Sequence, residues 1–155
     1  MLQNGRVKTF KLGARDGVLL TSKHENSIAY DTNLKYIAGL DKPCVILIII
    51  DAVSRKYFTS ETSWLWDIDF DLLNQENIKN IILSGRYCND LAERFSYTSI
   101  PSEKWKVIES IPDAAAELRV NQNNNQDVNQ DAKPDDLYVV TCFSDRDKLL
   151  KLTDK

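Results

Sequence analysis

Seven consecutive apolar residues, CVILIII (44–50), constrain the fold of this chain more than any other stretch. The run lies between Pro43 and Asp51 and is rich in β-branched side chains, which favour a strand. Because side chains alternate between the two faces of a sheet, a strand that is apolar at every position is buried on both faces. The run is also far shorter than the roughly 20 residues that cross a bilayer. It predicts a central strand of a parallel sheet that is covered by helices on both sides.

Segments typical of strands and helices alternate along the rest of the chain. We predict strands over 5–12, 17–23, 78–84, 104–110 and 137–143, and helices over 26–40, 87–97, 112–120 and 144–152. This order predicts one α/β sandwich with a mostly parallel sheet and right-handed crossovers, occupying residues 1–155 as a single domain.

Local signals place turns, buried faces and caps. Turn-forming residues separate the first two predicted strands, namely Gly13, Asp16 and Gly17. The first helix is expected to begin at a cap formed by Asn26 or Ser27. Its apolar residues at helical spacing are Ile28, Leu34, Ile37 and Ala38. Ser144 is expected to cap the last helix, in which Asp147 and Lys151 are spaced to pair.

A strongly polar segment, NQNNNQDVNQDAKPDD (121–136), interrupts this pattern before the last strand. It consists almost entirely of Asn, Gln and Asp and has no apolar periodicity. We predict a flexible surface insertion, and a functional lid remains the alternative.

Composition excludes several classes of protein. The net charge of -3 and pI near 5.2 argue against a nucleic-acid surface or a basic membrane patch. The three cysteines, Cys44, Cys88 and Cys142, are too widely spaced for a disulfide framework or a zinc motif. Since the first residues also lack a signal-peptide pattern, we expect a cytoplasmic protein without a transmembrane segment.

The sequence lacks the motifs of self-sufficient catalysis. It contains neither the G-x-x-x-x-G-K-[ST] phosphate loop nor G-x-G-x-x-G, which leaves a generic nucleotide-binding domain as a weak interpretation. The lone His24 has no cysteine near it in sequence, and no metal site is predicted. We expect this chain to act as part of a larger protein or protein complex.

The stretch ETSWLWDIDFD (61–71) is the first candidate site, because it sets two tryptophans among four carboxylates. One interpretation is structural: Trp64, Ile68 and Phe70 pack inward and the acids face solvent. The other is functional, since a carboxylate held beside an indole is oriented and partly desolvated. Such a group can support a histidine or polarise an amine. Glu61 is the stronger candidate here, because Asp67 could equally cap the following turn.

A second candidate site is the carboxyl edge of the sheet, where ligands bind in open α/β folds. Asp51 directly follows the central strand. In SGRYCNDLAERF (84–95), Arg86 precedes a helix whose free N–H groups suit an anion. A solvated arginine in a tight turn is the alternative. The turn over 23–26, which includes His24, could lie on the same edge.

Together these segments resemble the C-terminal domain of the MurT family, the Mur-ligase-like subunit of lipid II isoglutaminyl synthase. That family carries a stretch close to D-G-R-D-[VT]-S-W-I-[WY]-D-x-D-F-E. The positions that match it here are Ser63, Trp64, Trp66, Asp67, Asp69 and Phe70. The positions that match the family's later [ST]-G strand end and helix are Ser84, Gly85, Leu91, Arg94 and Tyr97. Lys23 and Asn26 match the start of an earlier helix more loosely.

The resemblance implies a Mur ligase C-terminal-like, Rossmann-like three-layer sandwich with about six strands. It also implies a class I glutaminase partner, GatD, which supplies ammonia. The full enzyme uses ATP and Mg²⁺, bound outside this domain, to amidate the D-glutamate α-carboxylate of lipid II. In the family, an Asp just before [VT]-S-W completes the partner's triad, and Glu61 holds that position here.

Roles for individual residues follow from this resemblance. It suggests Glu61 and Asp67 as catalytic residues. The substrate-binding candidates are Lys23, Asn26 and Arg86, and the interface candidates are Trp64, Trp66 and Asp69.

The sequence departs from the family pattern at several positions. Phe58-Thr59-Ser60-Glu61 replaces D-G-R-D, and Tyr87 occupies the position of an arginine. We expect the ATP-binding central domain to lie outside this chain. A protein-binding domain of the same fold that has lost the triad acid is therefore the alternative.

Overall fold

The structure is a computed structural model that describes residues 7–22, 27–51, 63–120 and 134–154. Within these ranges six strands form one sheet in the order β1-β2-β6-β3-β4-β5. The strands are β1 (Val7–Leu12), β2 (Arg15–Ser22), β3 (Cys44–Ile49), β4 (Ile78–Ser84), β5 (Trp105–Val107) and β6 (Asp136–Cys142). Among the strand pairs of these described residues, β1–β2 is the one antiparallel pair and the other four are parallel.

The prediction for β3 is confirmed, because the strand lies between β6 and β4 and every one of its residues is buried. Its side chains divide between two hydrophobic clusters. Cys44, Ile46 and Ile48 belong to one cluster, and Val45, Leu47 and Ile49 belong to the other. The sheet therefore has a core on each face.

Helices cover both faces, as a three-layer sandwich requires. They are α1 (Ser27–Ala38), α2 (Cys88–Phe95), α3 (Ile111–Leu118) and α4 (Phe143–Leu150). On one face, α1 and α2 contribute Tyr30, Leu34, Ile37, Leu91 and Phe95. On the other face, α3 and α4 contribute Ala114, Ala115, Leu118 and Leu149. The predicted α/β sandwich with about six mostly parallel strands is confirmed.

The predicted first turn was wrong at two of its three residues. Gly13, with φ of 65°, does follow β1, but Asp16 and Gly17 lie within β2. Gly17 is opposite Phe10 in the register, and a Cβ at this position would lie 2.2 Å from Phe10 Cζ. A glycine in this strand therefore makes room for an aromatic ring, a role that the turn signal does not distinguish.

Helix faces and ends differ from the predictions in three places. Ile28 is 75% exposed, because the buried face of α1 runs instead through Tyr30, Leu34 and Ile37 at i, i+4 and i+7 spacing. The N-cap of α4 is Cys142, without a side-chain cap, so the predicted Ser144 cap was wrong. Asp147 pairs with Arg146 at 3.7 Å rather than with Lys151.

Other boundaries are shorter than predicted. β5 has three residues, since Ser110 leaves the strand to cap α3 by accepting a hydrogen bond from the Asp113 N–H at 3.3 Å. Asp136 begins β6, and residues 121–133 of the predicted insertion lie outside the described ranges. In the part of the chain that the structure describes, no helix is both long and apolar enough to cross a membrane.

The turn between β4 and α2 depends on Gly85. Its φ is +99°, and a Cβ would lie 2.5 Å from the carbonyl oxygen of Ile50. The Gly85 N–H donates to Glu109 O at 2.9 Å, and the Tyr87 N–H donates to Ile50 O at 2.9 Å. This backbone contact joins the ends of β3, β4 and β5.

We predict that Gly85→Ala lowers the free energy of unfolding by about 2–4 kcal/mol, through the positive φ and the clash with Ile50. Urea denaturation of both proteins measures the difference. Gly39→Ala is the matched control, because the nearest atom to its Cβ is Lys35 O at an ordinary 3.5 Å. It should leave stability unchanged or raise it by up to about 1 kcal/mol. Equal effects of the two substitutions would contradict the prediction.

Candidate functional site

Asp51 connects three elements at the carboxyl edge of the sheet. Its Oδ1 accepts a hydrogen bond from the backbone N–H of Arg86 at 2.7 Å, and its Oδ2 accepts one from Lys148 Nζ. Its own N–H donates to Asp145 Oδ2 at 3.1 Å. Asp51, the second residue after β3, is thereby attached to the β4–α2 turn and to α4. We call Asp51, Asp145, Lys148 and the Arg86 N–H the Asp51 junction.

The junction contains a carboxylate that is buried and well satisfied. Asp145 is 0% exposed, and it accepts hydrogen bonds from Lys148 Nζ at 3.2 Å and from Cys142 Sγ at 3.5 Å. Burial raises the pKa of Asp51, but bonds from Lys148 and the Arg86 N–H outweigh burial and lower it overall. Burial lowers the pKa of Lys148, but bonds to Asp51 and Asp145 raise it overall. The charged forms of Asp51 and Lys148 are therefore stabilised near neutral pH.

A cleft of about 740 Å³ opens beside the junction. Its basic lining residues are Arg86, Lys148 and Lys151, and its acidic ones are Asp51, Glu109 and Asp113. Lys148 is already paired inside the junction, so the lining has no clear excess of positive charge. Arg86 does lie at the predicted sheet edge, and its side chain is exposed. Its substrate-binding role stays a prediction.

Residues 63–73, SWLWDIDFDLL, form two 3-10 turns, Ser63–Asp67 and Phe70–Leu73. Its apolar residues enter the core against α1 and α2, namely Leu65, Ile68, Phe70 and Leu73. Trp66, Asp67 and Asp69 are exposed. The Asp69 N–H donates to Asp31 Oδ1 of α1 at 2.9 Å. The predicted inward packing of Ile68 and Phe70 is confirmed, and one tryptophan remains on the surface among the acids.

Arg94 of α2 binds this segment through hydrogen bonds to two of its backbone carbonyls. Its Nε donates to Leu65 O at 3.1 Å, and its Nη2 donates to Ile68 O at 2.6 Å. Its Cζ lies 5.4 Å from the ring centroids of both Trp66 and Phe70. The guanidinium thus satisfies two carbonyls of the segment and stacks between its aromatic rings.

Tyr97, two residues after α2, packs against the exposed ring of Trp66. Its ring centroid lies 5.2 Å from that of Trp66, with an interplanar angle of 64°. Tyr97 is 70% exposed and Trp66 is 49% exposed. We call the two rings, with Arg94 beneath, the Trp66–Tyr97 step.

The predicted site residues that the structure describes therefore lie in two separate places, and the others fall outside the described ranges. Arg86 lies at the sheet edge, whereas Trp66, Asp67 and Asp69 lie over the α1–α2 layer. Lys23, Asn26 and Glu61 fall outside the described ranges, as does the side chain of Trp64. The roles proposed for these residues stay predictions.

Sequence reasoning missed Asp145 and Lys148 of the junction and the central position of Arg94. Asp145 and Lys148 are three residues apart in α4, a spacing that allows a pair. The spacing of Asp147 and Lys151 is equally favourable, so periodicity could not select the pair that faces Asp51. Arg94 belonged to the recognised motif, but only the structure places it under Leu65 and Ile68.

The described residues were compared with the ligand sets of metal ions and with the phosphate-loop motif. Within 7–22, 27–51, 63–120 and 134–154, no group of three or more His, Cys, Asp or Glu side chains could hold a metal ion. The turn at Gly85 leads into α2 without a phosphate loop.

A mostly parallel six-stranded sheet between two helical layers, together with the family match below, defines a Mur ligase C-terminal-like domain. The family model described as MurT ligase C-terminal matches residues 24–143, so the chain belongs to this family. The match spans both the SWLWD turn and the β4–α2 turn.

A curated relative agrees with the family match. The chain is 28% identical over 100 residues to the protein named lipid II isoglutaminyl synthase (glutamine-hydrolyzing) subunit MurT of Streptococcus pneumoniae (strain ATCC BAA-255 / R6). The alignment covers 64% of this chain and 22% of that protein. The chain therefore spans about a fifth of the length of the relative.

We predict that Arg94→Met lowers the free energy of unfolding by about 1–3 kcal/mol, because the carbonyls of Leu65 and Ile68 lose their charged donor and keep only the backbone N–H groups of Ile68 and Phe70. Arg94→Lys should lie between this variant and the native protein, since an ammonium keeps the charge but not the fork of donors. Urea unfolding followed by tryptophan fluorescence measures all three. Identical stability of the methionine variant and the native protein would contradict the assigned role.

We predict that Lys148→Met costs about 1–2 kcal/mol at neutral pH, a modest value because Lys148 is 39% exposed. The lowered pKa of Asp51 means that its stabilisation is present above about pH 4 and is lost as pH falls through that lowered value. The raised pKa of Lys148 means that its stabilisation is present below about pH 10 and is lost as pH rises through that raised value. The stability difference should therefore be constant between about pH 5 and 10 and shrink outside this range.

Urea unfolding at pH 3, 7 and 9 tests this pH dependence. Lys106→Met is the matched control, since its pair with Glu117 at 2.6 Å is about half exposed at both ends. It should cost less than about 1 kcal/mol. A Lys148→Met effect as large at pH 3 as at pH 7 would exclude the charged pair as its cause.

Proposed function

We propose that this chain is the C-terminal domain of a MurT-type subunit of lipid II isoglutaminyl synthase. In this role it docks a class I glutaminase of the GatD type and contributes a carboxylate to that partner's active site. The observation that carries the proposal is the family match over residues 24–143, which includes the SWLWD turn. The relative named as a lipid II isoglutaminyl synthase subunit supports the same assignment.

Glu61 is the proposed triad carboxylate. The partner's cysteine attacks the side-chain amide of glutamine, and its histidine accepts the cysteine proton and then protonates the departing ammonia. A carboxylate beside that imidazole keeps it oriented and stabilises its protonated form. Glu61 lies two residues before the 3-10 turn Ser63–Asp67, in which Leu65 O accepts a hydrogen bond from Arg94 Nε. Asp67, exposed on the same turn, is the second candidate.

The remaining predicted contacts fit this arrangement. Trp64, Trp66 and Asp69 would contact the partner, and Lys23, Asn26 and Arg86 would contact the lipid II substrate from the sheet edge. The complete enzyme would use ATP and Mg²⁺, bound outside this domain, for the amidation of the D-glutamate α-carboxylate. We place this assembly in the cytoplasm.

A protein-binding domain that has lost the triad acid is the second candidate. The replacement of D-G-R-D by Phe58-Thr59-Ser60-Glu61 favours it, because the extra methylene of glutamate requires a shifted backbone. This alternative keeps the docking function and removes the catalytic one, so a single assay separates the two.

We predict that the native chain raises the glutaminase activity of its GatD-like partner and that Glu61→Gln abolishes most of this rise. A fall of about 10²–10⁴-fold in kcat is the scale expected when a triad acid no longer holds its histidine. Release of glutamate is measured with the partner alone, with the native chain and with each variant. Glu76→Gln, an exposed acid after the second 3-10 turn, is the control and should activate normally.

The other outcomes are also decisive. If Glu61→Gln activates like the native chain and Asp67→Asn does not, Asp67 is the triad acid. If the native chain binds the partner without raising its activity, the non-catalytic alternative is correct. Failure of the native chain to bind would exclude both candidates.

A further inference from the structure

We infer that the Trp66–Tyr97 step is the anchor by which this domain binds its glutaminase partner. The inference rests on the proposed function and adds to it the docking residues themselves. Two large aromatic rings from different elements, one on the 3-10 turn and one after α2, stand together on the surface. Trp66 is 49% exposed and Tyr97 is 70% exposed. Tryptophan, tyrosine and arginine are the residues that dominate binding energy at protein interfaces.

The step is preorganised, which favours tight binding. The edge-to-face contact of the rings at 5.2 Å and the Arg94 guanidinium 5.4 Å from the Trp66 centroid hold the indole in one orientation. Arg94 is itself fixed by its hydrogen bonds to Leu65 O and Ile68 O. A partner would therefore order few additional rotatable bonds when it covers these rings.

Chain geometry places the step within the footprint of the proposed partner. Glu61 and Trp66 are five residues apart, and three of the intervening steps lie in a 3-10 turn. With about 2 Å per residue in that turn and about 3.5 Å elsewhere, the separation is at most about 13 Å. A standard interface buries about 800 Å² on each partner, a disc with a radius of about 16 Å. A partner interface centred on Glu61 would therefore extend over Trp66 and Tyr97.

The acidic residues around the step indicate which charge the partner's surface should carry. Asp67 and Asp69 are exposed on either side of Ile68, next to Trp66 in the chain, and Glu93 is exposed one helical turn before Tyr97. The partner surface should therefore combine an apolar pocket for the rings with a rim of lysine or arginine. Attraction across such a rim weakens with increasing salt.

The test measures binding of the GatD-like glutaminase to the native chain and to Trp66→Ala and Tyr97→Ala by titration calorimetry. We predict that each alanine variant binds at least about 30-fold more weakly, the loss expected for a hot-spot residue. Tyr97→Phe should bind within about threefold of the native chain, because it keeps the ring. Tyr36→Ala is the matched control, a tyrosine that is 43% exposed on α1 and packs on Tyr138 instead. Thermal unfolding of each variant shows whether it is folded.

The outcomes distinguish failure of this inference from failure of the proposed function. If Trp66→Ala and Tyr97→Ala both bind within about twofold of the native chain while Glu61→Gln lacks activation, the anchor is wrong and the triad role stands. If the native chain does not bind the glutaminase, both are wrong. If the native chain dimerises and the alanine variants abolish only the dimer, the step is a self-association surface and the inference is overturned.

Discussion

Burial of β3 on both faces is the constraint on which the rest of this structure depends. Six successive side chains from Cys44 to Ile49 are removed from water, in alternation, into two separate clusters. Neither cluster can close without helices on its own side, so α1 and α2 must cover one face while α3 and α4 cover the other. Parallel crossovers of this kind bring the carboxyl ends of β3, β4 and β6 to one edge, which is where the polar chemistry collects.

The Asp51 junction shows how a buried charge is tolerated at that edge. Asp145 has no exposed surface, yet it accepts hydrogen bonds from Lys148, Cys142 and the Asp51 N–H, so its desolvation is offset by several donors. Gly85 allows the neighbouring turn to approach Ile50 closely enough for the Arg86 N–H to reach Asp51. The hydrogen bonds of Asp51 with the Arg86 N–H and with Lys148 therefore also position three of the residues that line the cleft.

Arg94 explains why Trp66 lies among carboxylates in the SWLWD turn. The guanidinium is held under the turn by two carbonyls and two aromatic rings, and it places positive charge beneath a surface that carries Asp67 and Asp69. Leu65, Ile68 and Phe70 anchor the segment in the core, so the exposed indole of Trp66 is not needed for packing. A rigid turn that presents an aromatic ring and acids outward suits a domain whose proposed partner supplies the glutamine-hydrolysing machinery.

Apolar periodicity in the sequence determined the class of fold, the central position of β3 and the presence of each strand and helix, because the burial of a whole face leaves a regular pattern. The SWLWD and SG motifs determined the family. Tertiary structure alone decided that Gly17 lies under Phe10, that Lys148 rather than Lys151 meets an acid, and that Arg94 lies beneath Trp66. These contacts join residues from 7 to 97 positions apart, and no local pattern encodes which of several equivalent charges or glycines will meet across such distances.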